Sequence, residues 1–80
     1  MHTDTTIQGL FTHGFREGCA LWRAGWTAEL ISHDADASPH GRGRYAASEA
    51  LMGWLDIAER EARAHGLTQE AAERLVSESK

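Results

Sequence analysis

The sequence predicts an all-α fold. Apolar residues recur at helical spacings of four and seven, no stretch alternates apolar with polar as a half-buried strand would, and threonine caps stand before two of the periodic stretches. The chain has 80 residues, enough for one small domain. The spacing divides it into a long N-terminal helix over about 5–31, a Pro/Gly loop over 32–44, a second helix over about 45–65 and a short C-terminal helix over about 68–78.

The first helix opens on a capping box, with Thr5 as the cap and Gln8 reaching back. Ile7, Phe11, Phe15, Trp22 and Trp26 follow on one stripe, and beside it run Gly14, Gly18, Leu21 and Gly25. Each glycine inside a helix costs about 1 kcal/mol relative to alanine. Their number has two explanations. Either a helix or a stretch of backbone approaches closely along the glycines, or the helix breaks near Gly25. The close-approach reading is preferred, and it keeps the helix whole to residue 31.

After Ile31 the apolar period stops. Residues 32–44, SHDADASPHGRGR, are rich in turn formers, and Pro39 disfavours helix at Ser38. In the second helix Ala47, Leu51, Trp54, Leu55, Ala58 and Ala62 form the buried stripe, with Tyr45 at its entrance and Glu59 and Arg63 paired on the wet face. Gly66 is placed to end it in a left-handed cap. Thr68 caps the last helix, whose apolar edge is Ala71, Ala72, Leu75 and Val76 and whose final residues are expected to fray.

A chain of this size buries only roughly 60–65% of the surface its unfolded form exposes, so reinforcement by a metal or by oligomerisation is expected, and oligomerisation is preferred. Cys19 is the only cysteine, which rules out an intrachain disulfide. The single thiol and the absence of a signal-type start point to the cytoplasm. No apolar run approaches the ~20 residues of a membrane span. The net charge is −4 and the pI about 5.6, against a general nucleic-acid binder. Residues 1–40 hold five carboxylates against two arginines.

Several constellations could carry chemistry. His33, Asp34, Asp36 and His40 are metal-ligand types, but their spacing matches no zinc or EF-hand pattern, so no metal is expected, and Asp34 or Asp36 is read as capping local amides. Gly41, Arg42, Gly43 and Arg44 could clip a phosphate, glycines admitting the backbone and arginines gripping the oxygens; otherwise they form a flexible solvated loop. The nucleophile candidates Cys19 and Ser48 and the bases His13, His33, His40 and His65 are not brought together by any spacing, so neither an enzyme nor a cofactor is expected. Trp22, Trp26 and Trp54 serve the core or a partner surface.

HGFREG, residues 13–18, resembles the first-helix motif of the ribosome modulation factor family, and SPHGRGRYAASEALMGWLDIAE, residues 38–59, resembles its proline linker and GW helix. The resemblance implies a helix-linker-helix protein that binds the ribosome and holds it inactive in slow growth. Gly14, Phe15, Gly18, Pro39, Gly53 and Trp54 carry over as scaffold positions. Of these, Gly14, Phe15, Gly18, Gly53 and Trp54 are the expected helix-packing residues.

Three functions are expected on these grounds, all by binding rather than catalysis. One is a ribosome- or RNA-associated regulator, using Arg42 and Arg44. Another is an acidic inhibitor of a nucleic-acid-binding complex, as phage-type inhibitors including anti-CRISPR proteins are, using Glu17, Glu29, Asp34 and Asp36 with Trp22 and Trp26. Here Glu17 and Glu29 share a helix face. The third is a homodimeric helical module joined through the Gly14/Gly18 face.

Overall fold

The computed structural model describes residues 7–33, 35–53 and 55–80, and at positions 7, 8, 55 and 57 the backbone alone. The Thr5–Gln8 capping box, Asp34, Trp54 and the side chains of Ile7 and Leu55 therefore lie outside the described residues. The fold is all-α. Five helices follow in order: α1 (Ile7–Arg23), α2 (Ala28–His33), α3 (Pro39–Leu51), α4 (Leu55–Ala64) and α5 (Gln69–Ser79).

Three glycines end three of these helices. Gly25, Gly53 and Gly66 have φ of +102°, +97° and +89°, the left-handed region that costs other L-residues about 1–2 kcal/mol. After α1 the Gly25 amide donates to the Trp22 carbonyl at 3.0 Å and the Trp26 amide to the Leu21 carbonyl at 3.0 Å. After α4 the same pair of bonds recurs from Gly66 to Arg63 and from Leu67 to Ala62. This double bond pattern satisfies carbonyls that a helix end would leave open. The expected helix over 5–31 is thus two helices, broken at Gly25. The expected helix over 45–65 is likewise divided at Gly53. Gly53 is a helix end with nothing near its missing side chain, not a packing position.

The expected loop over 32–44 is mostly helix. Pro39 occupies the first turn of α3, where its fixed φ suits the helix and its missing N–H costs nothing. Ser38 is the N-cap, its hydroxyl accepting from the Gly41 amide at 3.1 Å. Asp36 accepts from the Ser38 amide at 3.0 Å and from the Ser38 hydroxyl, and these bonds hold its carboxyl below the usual range. Pro39 disfavours helix only at the residue before it, so it starts α3 and does not prolong the loop.

Gly14, Gly18 and Gly43 make the α1–α3 crossing. A side chain on Gly14 would run into the carbonyl of His40, and one on Gly43 into the carbonyl of Phe11 and, at 2.8 Å, the amide nitrogen of Phe15. A Cβ on Gly18 would lie 2.8 Å from that of Ala47 and 3.4 Å from Cγ2 of Ile31. The two helices meet backbone to backbone, and Phe11, Phe15 and Cys19 of α1 close over Ala46, Ala47 and Ala50 of α3. Close approach and helix break both occur, at different glycines. The Gly14/Gly18 face expected to join two copies is filled by α3 of the same chain.

Ala58, Ala62, Leu67, Ala72 and Val76 extend this core into α4 and α5. The Phe11 ring stacks on His65 with centroids 4.5 Å apart. Thr68 caps α5, accepting from the Ala71 amide at 3.2 Å. The end of α5 is anchored: Ser79 is buried and its hydroxyl accepts from Arg23 Nη1 at 3.1 Å. Glu59, expected to pair with Arg63, faces the Glu73 carboxyl of α5, which pushes its pKa up more than Arg63 lowers it.

Candidate functional site

Tyr45, Ser48, Glu49 and Met52 stand at i, i+3, i+4 and i+7, so they share one face of α3. Opposite this face lies α2, six residues long. A helix this short is marginal alone and is held by its tertiary contacts. Thr27 caps it, accepting from the Leu30 amide at 3.1 Å, and Ile31 anchors it with a fully buried side chain against Gly18. Ala28, Glu29 and Ser32 face the α3 set across a groove of about 310 Å³. That is the lower end of the range of ligand pockets, ~300–1,000 Å³.

The groove is open. On its α3 side Tyr45 is 49% exposed and Met52 56%; Trp26 and Leu30 are also exposed but do not line it. The serine hydroxyl protons are already committed: Ser48 donates to the Tyr45 carbonyl at 2.6 Å and Ser32 to the Glu29 carbonyl at 3.1 Å. Glu49 is different. It is only 8% exposed, and its Oε1 is buried with no hydrogen-bond partner among the described residues. Burial pushes its pKa up, and the Glu61 carboxylate pushes it further. A buried acceptor without a donor is a cost that a folded protein normally avoids.

The groups facing Glu49 set its pH response. Glu29 lines the same groove from α2; Glu61 approaches from α4 and carries Arg42 Nη1 at 3.6 Å. Glu49 is raised in the folded state, so its contribution to stability is full below the unfolded carboxylate pKa. It is lost as pH rises through the folded value. As pH rises above about 4, the usual carboxylate value, the melting temperature of the native chain is therefore expected to fall relative to that of Glu49→Gln. Parallel thermal melts of the two proteins over rising pH measure this, and curves that keep a constant offset would contradict it.

The structure scatters most of the expected binding residues. Arg42 is exposed on α3 and pairs with Glu61; Arg44 is half-buried, its Nε without a partner among the described residues. The GRGR stretch is helical, with Gly41 against Asp36 and Gly43 against Phe11, so neither a phosphate clip nor a flexible loop exists there. Glu17 lies 2.8 Å from His40 Nε2 and belongs to α1, while Glu29 belongs to α2; the break at Gly25 removes their shared face. Asp36 is spent on capping. Trp22 packs half-buried on the core, whereas Trp26, expected on the same stripe, is exposed beyond the break. Of the expected partner residues among the described ones, Glu29 alone lines the groove.

The expected nucleophiles and bases stay apart. Cys19 is buried, and burial pushes its thiol pKa up against the lowering effects of Ser79 and Arg23. His13 and His40 approach each other, with ring centroids 5.3 Å apart, and not Cys19 or Ser48. Among the described residues no group of three or more His, Cys, Asp or Glu is placed to hold a metal ion. No described helix is long and apolar enough to cross a membrane.

Comparison of the chain with protein-family models, curated proteins and solved structures finds no match.

Proposed function

We propose that this is a non-enzymatic regulatory protein that acts in the cytoplasm by binding a protein partner through the α2–α3 groove. One observation carries the reading: the open groove beside Tyr45 and Met52 is lined by Glu49, whose buried Oε1 has no hydrogen-bond partner among the described residues. Recognition surfaces combine a desolvated apolar contact with a few fixed polar groups in this way. The acidic net charge favours a basic target surface and steers its approach. This is the inhibitor expectation with its site moved from the scattered carboxylates to one groove.

The arginines fit a nucleic acid less well, because Arg42 already has a carboxylate partner and Arg44 is half-buried. A tagged pull-down from host lysate, with and without nuclease, tests the choice. A protein retained after nuclease, and lost when Tyr45 and Met52 are both changed to serine, is the expected result. Ribosomal proteins that disappear with nuclease and survive the double change would favour the ribosome-associated role that the resemblance implies.

A further inference from the structure

We propose that the groove accepts an arginine side chain of the partner protein, with Glu49 as its acceptor. The inference rests on the docking reading above and names the chemistry of what docks. Glu49 supplies the demand. Glu49 is 8% exposed, its Oε1 has no donor among the described residues, and the Ser48 and Ser32 hydroxyls have given their protons to backbone carbonyls. An incoming group with N–H donors and positive charge supplies what the carboxylate lacks. Glu29, on the opposite wall, adds a second carboxylate of the same sign.

The rim selects among cations. A cation that enters the groove beside Tyr45 and Met52 gives up part of its hydration. An ammonium is compact and strongly hydrated and resists that. A guanidinium is planar and weakly hydrated, stacks on aromatic faces, and presents parallel N–H groups to a carboxylate. Arg42 of this chain is already paired with Glu61. The exposed Tyr45 and Met52 side chains then favour apolar residues beside the arginine.

The test is an NMR titration of the ¹⁵N-labelled full chain with acetyl-Leu-Arg-Leu-amide, and with the same peptide carrying citrulline or lysine in place of arginine. Citrulline keeps the shape of arginine and loses its charge. The expected result is a shift of the Glu29, Ser32, Ser48, Glu49 and Met52 amides by the arginine peptide. Affinity falls at least about tenfold with citrulline, and as much with Glu49→Gln, a tenfold change being the loss of about one charged contact. The lysine peptide binds more weakly than the arginine one. Glu49→Gln is expected to melt at or above the native temperature at neutral pH, so its loss of binding is not unfolding. Equal affinity for the citrulline peptide, indifference to Glu49→Gln, or shifts confined to other surfaces would overturn the proposal. So would concentration-dependent dimerisation abolished by Glu49→Gln, which would assign the groove to a second copy. A pulled-down partner that needs Tyr45 and Met52 but not Glu49 would leave the docking reading standing and remove the arginine. A partner indifferent to all three would remove the docking reading itself.

Discussion

Gly43→Ala is expected to destabilise the protein by about 3 kcal/mol or more, although alanine is the better helix former by about 1 kcal/mol. Gly43 is in the interior of α3, where propensity alone predicts a gain. The sign reverses because its added methyl would meet the Phe11 carbonyl and the Phe15 amide nitrogen. These are backbone atoms of a neighbouring helix and cannot rotate away. Relief requires α1 and α3 to separate, which opens the core around Phe11 and Phe15, both fully buried. A domain of this length has roughly 4–12 kcal/mol of stability in total, so the loss is a large share of it. Gly14→Ala, which collides with the His40 carbonyl, is expected to behave alike. Gly25→Ala is the control. It meets nothing within 4 Å and carries only the left-handed strain, about 1–2 kcal/mol. Urea unfolding followed by far-ultraviolet circular dichroism separates the two classes. Equal small losses at Gly43 and Gly25 would mean that the helices do not meet backbone to backbone.

Ile31→Ala is the second large effect, and it acts on the groove more than on the fold. Truncating a buried isoleucine costs about 2–5 kcal/mol where the site cannot collapse. Ile31 is fully buried and is the anchor of a six-residue helix. When that anchor fails, α2 can leave while the α1–α3 crossing persists, so the global loss is capped by the free energy of this local opening. The expected outcome is near-native helicity, rapid exchange of the Ile31 amide that now donates to the Thr27 carbonyl at 3.0 Å, and loss of partner binding. Retained protection at that amide with intact binding would contradict the assignment of α2 as a groove wall.

The sequence showed the helical class, the α1 aromatics, the Thr68 cap and the Gly66 helix end, because each is a local signal. It also showed that the glycines need a cause. It did not show which cause applied to which glycine. A left-handed turn at Gly25 and a backbone approach at Gly18 are the same residue type at the same helical spacing, and only the neighbouring helix tells them apart. The loop over 32–44 failed for a related reason. Gly41 and Gly43 look like helix breakers until they are seen buried inside α3. Starting that helix at Tyr45 then placed Tyr45 at its entrance, and the face it shares with Ser48, Glu49 and Met52 went unread. That face mixes aromatic, hydroxyl, acid and thioether, so no apolar period marks it. That Glu49 Oε1 has no partner among the described residues is a property of the folded chain alone.

The central claim is that the partner docks in the α2–α3 groove. Site-specific photo-crosslinking tests it most directly, with a photoreactive residue at Met52 and, in a separate protein, at Glu78 of α5. The account predicts that the captured partner crosslinks strongly from position 52 and not from position 78, and that nuclease treatment leaves the adduct intact. Crosslinking from position 78 with none from position 52, or an adduct to RNA, would contradict it.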